Sequence, residues 1–191
     1  MFLIDVDSTT WESGKCCARR VAAIRVFVDN SLVQEIAPPD ECLFEERWQQ
    51  DQVFVVEDVN FDGHVDLRLL SWYSISDYTT FWYWLFDPRT ERFVRDTAMD
   101  KIMNPSFDPL KKEVRSWWRI GFNEFGRSRH TWEKERSVLQ WSEVMTTGFD
   151  GFDGPVYLDR TQRINGELVR KEILLKPEEI ERYLTPSAGD H

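Results

Sequence analysis

The chain lacks most of the features that announce a chemistry. No stretch approaches the roughly 18 consecutive apolar residues of a membrane-spanning helix, so no span is expected. Its three histidines, His64, His130 and His191, are scattered, and no cysteine pair has the spacing of a zinc site. There is no glycine-rich phosphate loop, no dinucleotide fingerprint and no G-x-S-x-G elbow. Ser128-Arg129-His130 reads as a charged strand end rather than a nucleophile with its base. Positive charge is also scarce: 24 Lys and Arg stand against 34 Asp and Glu, a formal net charge of -10. That balance sets nucleic acid aside and suits a cation or a basic protein partner. With so many acids, no single carboxylate pair points to glycosidase work. These absences favour a binding protein over an enzyme.

Cysteine is limited to Cys16, Cys17 and Cys42. In an oxidising compartment Cys42 would bridge to Cys16 or Cys17 and leave one thiol over; in a reducing one all three would stay free. The opening MFLIDVDSTTW has neither a basic start nor a long apolar run, so it is not a signal peptide. The expectation is a periplasmic protein whose leader lies outside this sequence, or else a cytoplasmic one.

What the chain has in quantity is aromatic surface: 9 Trp, 13 Phe and 5 Tyr among 191 residues. Such rings favour strands and large-area packing. The length suits one domain, divided here into an N-terminal arm (1–20), a single β domain (21–184) and a tail (185–191). Residues 21–37 read as two strands around Asp29-Asn30-Ser31, and 43–51 as a short helical turn. QVFVVEDV (52–59), DLRLLSWYS (66–74) and TTFWYWLF (79–86) read as strands. Asp87–Arg92 is a turn. Residues 104–120 fit two periods: Leu110, Val114, Trp117 and Trp118 have helical spacing, while Val114, Ser116 and Trp118 alternate as in a strand. Residues 129–144 read as a hairpin around Lys134–Arg136. Residues 155–175 form another, with Asn165-Gly166 as a type I′ turn. Pro177, Ile180, Tyr183 and Leu184 mark a short terminal helix. The predicted fold is mainly β: an antiparallel sandwich or propeller-like meander with a calcium-binding hairpin loop and a C-terminal helix.

The densest motif lies in EDVNFDGHVDLRLL. Asp58, Asn60, Asp62 and Asp66 occupy positions 1, 3, 5 and 9 of a loop with Gly63 at position 6. Calcium takes six to eight oxygens at roughly 2.3–2.6 Å, and alternate side chains converge on it only where the chain curls tightly. Gly63 permits that curl. His64, at position 7, would offer its carbonyl rather than its ring. Position 12 is Leu69 and the flanks read as strands, so the loop is not an EF-hand. The predicted cofactor is one Ca²⁺. The stretch Phe149–Gly154 contains Asp150 and Asp153, too few ligands for a second site, and reads as a glycine-rich turn.

Four segments occur in a telling order: V-E-D-V-N-F-D-G-H-V-D-L-R-L (56–69), W-Y-W-L-F-D-P-R-T-E-R-F-V (82–94), N-P-S-F-D-P-L-K-K-E-V-R-S (104–116), and the spaced Arg119, Gly121 and Trp132. Together they resemble a bacterial family of exported calcium-binding β proteins. That family includes immunity proteins against peptidoglycan-cleaving effectors of contact-dependent secretion systems, and it is similar to periplasmic inhibitors of invertebrate-type lysozyme. The resemblance covers roughly residues 50–135. It implies an antiparallel β fold, bound calcium, a periplasmic location and inhibition of a lysozyme-type hydrolase. It also favours a strand over 112–119. The chain departs from the family at Phe125, where a Tyr is usual. The partner-binding loop implied is Arg119, Gly121, Phe122, Asn123, Phe125 and Arg127, with Gly148–Gly154 as the other candidate. The competing expectation is a calcium-stabilised structural or adhesion module that binds a glycan or a surface protein.

Overall fold

The computed structural model describes residues 2–10, 17–39, 43–45, 50–73, 78–133, 136–148 and 151–184. It is mainly β, with three antiparallel sheets laid out in chain order. The first holds β1 (Phe2–Thr10), β2 (Cys17–Val28), β3 (Ser31–Ile36) and the short β4 (Leu43–Glu45), which pairs with the start of β2. The second holds β5 (Phe54–Glu57), β6 (Asp66–Tyr73), β7 (Thr79–Asp87) and β8 (Arg92–Asp96). The third is a six-stranded meander of β9 (Pro105–Asp108), β10 (Glu113–Ile120), β11 (Glu124–Glu133), β12 (Arg136–Gly148), β13 (Gly151–Ile164) and β14 (Glu167–Leu174). Among the described residues there are also two short helices, α1 (Gln50–Val53) and α2 (Pro177–Leu184). This is the β-sandwich class anticipated above.

Turn chemistry sets the hairpins. Asp29 and Asn30 have φ of 47° and 63°, and Asn165 and Gly166 have 51° and 88°. Both pairs make the two-residue connection that matches strand twist. The arm expected at residues 1–20 is instead largely strand: β1 pairs with β2 from Phe2↔Val26 to Thr10↔Cys17. Backbone pairing satisfies the amides of this polar segment whatever its side chains. The helical turn expected at 43–51 is displaced too, with 43–45 in β4 and the helical turn at 50–53 taking the first residues of the expected strand 52–59. At 104–120 alternation prevails. Val114 and Ser116 are buried on β10, whereas Leu110 sits at a turn, 96% exposed. Asp108 Oδ1 accepts from the amides of Leu110 and Lys111, the signal that reads as a helix start, but the chain returns as β10. Cys16, Cys42, residues 134–135, 149–150 and the tail 185–191 lie outside the described residues, and with them the expected bridge to Cys42.

One core joins all three sheets. It includes Ile24 and Val26 of the first sheet, Leu67, Leu69 and Tyr83 of the second and Val114 of the third, with Phe107 and Trp132 packed against it. Burying side chains of this size contributes roughly 1.5–3 kcal/mol each. A second, smaller cluster is Phe125, Met145, Val156, Leu158 and Leu175 on the third sheet, covered by Ile180, Tyr183 and Leu184 of α2. Helix α2 opens with Pro177, acidic Glu178 and Glu179, and a capping contact from Lys176 N to Glu179 Oε2 at 3.0 Å.

Candidate functional site

The acidic loop joins β5 to β6, between strands as expected. Its curl is produced by Phe61 at φ 63° and Gly63 at φ 90°. A Cβ on Gly63 would meet nothing within 4 Å, so conformation rather than space calls for glycine there. Phe61 is buried in the main core, and Lys112 Nζ donates to its carbonyl at 3.2 Å, so the core and the β9–β10 turn both hold the loop.

The loop's side chains are engaged with its own amides. Asp58 accepts from Asp62 N at 3.2 Å and Gly63 N at 2.9 Å. Asn60 Oδ1 accepts from Asp62 N at 3.0 Å, and its amide donates to Asp62 Oδ2 at 2.9 Å. Asp62 Oδ1 accepts from His64 N at 2.8 Å. The His64 ring packs on Phe86 at 5.4 Å, so the ring is not turned into the loop. Asp66 differs from the others. It is fully buried, and its two oxygens accept from Val59 N (3.0 Å) and Phe86 N (2.9 Å), tying the loop to β7. Burial pushes its carboxyl up to about 6; the two amides oppose that, and the nearby charges of Asp62 and Asp58 add to it.

Among the described residues no three His, Cys, Asp or Glu side chains stand as a metal cluster. The donor chemistry nonetheless fits calcium: hard oxygens from Asp58, Asn60, Asp62 and Asp66 in one curled segment, each carboxylate oxygen with a lone pair beyond its amide contact. The buried Asp66 carboxyl, with two further carboxylates raising its pKa, is the observation in this structure that a hard cation would answer.

The second region is the β10–β11 hairpin. Gly121, at φ 62°, turns it, and Phe122 at its tip is 84% exposed. Arg119 donates to the carbonyl of Gly121 at 3.0 Å and lies over Phe122 and Phe125, 5.6 and 5.1 Å from the ring centres. Asn123 accepts from Thr147 N through its carbonyl at 2.9 Å. Phe125 turns inward, is buried in the second core and meets Phe152 at 6.1 Å. The two candidate loops therefore sit side by side, with Phe152 from the 148–154 stretch half-exposed next to the first hairpin. Arg127 is not at the tip. It donates to Glu143 through Nε at 2.9 Å and Nη2 at 2.6 Å, between the rings of Trp141 and Tyr183. Phe125 and Arg127 are thus structural supports, while Phe122 and Asn123 are exposed at the tip, with Arg119 and Gly121 half-buried beside them.

Ser128 Oγ lies 3.0 Å from His130 Nε2, a contact that the spacing of the two residues on one strand allows. Burial pushes His130 down to about 4, and Ser128 is itself buried. A histidine so hard to protonate is a weak base near neutrality. An open cleft of about 590 Å³ also runs beside the acidic loop, lined by Asn60, Asp62, Phe86, Asp87, Lys112 and Trp132 among others. Sequence reasoning did not single it out, because its walls come from segments far apart in the chain.

Fold and loop together define a three-sheet antiparallel β protein with an acidic Asx-rich loop between strands. No family model matches the chain, and no curated protein matches it. Among solved structures, a Xanthomonas protein described as type IV secretion system related is similar over 90% of this chain and 88% of its own. The TM-score is 0.61 at 15% identity, which shows a shared fold. A Bacteroides fragilis protein of unknown function aligns over 92% of both chains at 11% identity, with a TM-score of 0.29.

Proposed function

We propose that this protein is a calcium-stabilised inhibitor of the immunity type, which blocks a peptidoglycan hydrolase of lysozyme class by protein–protein binding in the periplasm. The observation that carries the reading is the β10–β11 tip: an exposed aromatic, Phe122, with a cation, Arg119, on a hairpin braced by a six-stranded sheet. A hydrolase cleft with catalytic carboxylates is complementary to such a plug. An aromatic–arginine pair is also the usual composition of an interface anchor. The fold shared with a secretion-system-related protein supports the reading. So does the chain's acidity, which speeds encounter with a basic enzyme.

Calcium, when bound, would supply positive charge that offsets Asp58, Asp62 and Asp66 and fixes the loop; its role is structural. The protein itself is not an enzyme on this reading, and Ser128 and His130 are core residues.

Inhibition assays against a panel of lysozyme-class peptidoglycan hydrolases test the proposal. Phe122→Ala and Arg119→Ala together should weaken inhibition by about 2 kcal/mol or more, with the melting temperature retained. Full inhibition by that double variant, or no inhibition by the wild type, refutes the plug.

A further inference from the structure

The third sheet has an outer face that α2 covers only in part. Strand pairing lays its side chains in rows across the strands. Arg119, Phe125, Met145 and Leu158 form one row, and Trp117, Arg127, Glu143 and Arg160 the next. Arg115, Arg129, Trp141 and Gln162 form a third. Helix α2 packs on the first row and, through Tyr183, reaches Arg127 in the second. Beside the third lies an open groove of about 350 Å³, lined by Lys111, Glu113, Arg115, Arg127, Ser128, Arg129 and Trp141.

Four of those seven residues are cations and one is an acid, on a chain whose net charge is -10. Arg127 is neutralised by Glu143, which also holds Arg160 Nη2 at 2.7 Å. The outer cations have acidic neighbours as well. Arg115 lies 3.6 Å and Arg129 3.5 Å from the same Glu113, while Arg115 and Lys111 approach Asp108 only at 3.5 and 3.9 Å. Arg115 and Arg129 are direct cross-strand partners, a placement in which like charges oppose each other. Glu113 stands between them, and Lys111 and Arg129 are the most exposed cations of the groove, at 61% and 47%.

We propose that this groove is a second docking surface, and that its occupant is an extended acidic segment of a protein partner. Carboxylates would enter between Arg115, Arg129 and Lys111, and a side chain would lie on Trp141. A long polyanion is disfavoured by the charge of the whole molecule, whereas a short segment feels mainly charges within the screening length of roughly 8 Å. The groove is about 20 Å along β10 from the Gly121 turn, so it is separate from the plug and does not depend on it.

The test uses the full chain, labelled with ¹⁵N and titrated with hexaglutamate at low salt, with tetragalacturonate as a carboxylated sugar control. Amide shifts should appear on β10, β11 and β12 around Arg115, Arg129 and Trp141. Lys111→Glu with Arg129→Glu should weaken binding by about ten-fold or more. The two side chains are 61% and 47% exposed, and the dispersed amide spectrum of the double variant checks that its fold is retained. Arg92→Glu, on the second sheet, should leave binding unchanged. The proposal is overturned by an absence of shifts at millimolar hexaglutamate, by shifts elsewhere, by equal binding to the double variant, or by tighter binding of the sugar acid. Because Phe122 and Arg119 stay intact throughout, failure here leaves the inhibition result standing, and the reverse also holds.

Discussion

His130 offers a direct check on whether the Ser128–His130 contact is a piece of core or a reactive pair. Its cross-strand partners are Val114 and Leu139, both apolar, and burial alone pushes it to about 4. In the unfolded chain it takes a proton near 6.5. Between those values the unfolded state binds the proton and the folded state does not, so stability falls as pH drops from about 6.5 to about 4. The gap corresponds to about 3 kcal/mol. Asp66 acts in the opposite sense. Its folded carboxyl titrates at about 6 against 3.8, so the folded state protonates first and gains stability over a similar window. The wild-type curve mixes the two effects, and the difference between wild type and His130→Gln isolates the first. Urea unfolding of both proteins in chelator, at pH 7 and pH 4.5, gives that difference. The variant should lose about 2–3 kcal/mol less than the wild type on acidification. Parallel losses would mean that His130 already titrates near its ordinary value, and the buried-core assignment of Ser128 and His130 would fail.

Calcium should raise the melting temperature by mass action, worth about 4 kcal/mol at a thousand-fold excess over the dissociation constant. Asp62→Ala should abolish most of that rise, and coincident scanning-calorimetry curves in calcium and chelator would remove the ion from the account. Arg127→Ala should destabilise by about 3 kcal/mol in urea unfolding, because Glu143 is left buried with one partner instead of two; an unchanged midpoint would return Arg127 to the surface. Gly126→Ala would place a Cβ 2.1 Å from Trp118, so the indole must move, at a cost of about 1–3 kcal/mol read from the same unfolding curves.

Local signals were legible in the sequence wherever a short segment decides its own shape. Asn165-Gly166 and Asp29-Asn30 dictate two-residue turns by their tolerance of positive φ, and the acidic loop announced its curl through Gly63. Other readings needed the rest of the sheet. Leu110, Val114, Trp117 and Trp118 are compatible with helix or strand until β9 and β11 offer pairing on both sides of β10. Residues 2–10 carried few local cues to a strand, because their order comes from register with β2.

The arginines show most clearly where local reading ends. Arg115, Arg119, Arg127 and Arg129 lie on the same face of the β10–β11 hairpin, and nothing nearby in the sequence separates their roles. What separates them arrives later in the chain. Glu143 on β12 stands opposite Arg127 and fixes it, and Tyr183 of α2 closes over it. Trp141, two residues before Glu143, falls opposite Arg129 and gives the groove an aromatic wall. Arg119 is left at the hairpin's end, held to the Gly121 carbonyl under an exposed phenylalanine. One alternating strand pair thus yields a tip, a buried strut and an open groove. The division among them is set by how far α2 extends across the sheet.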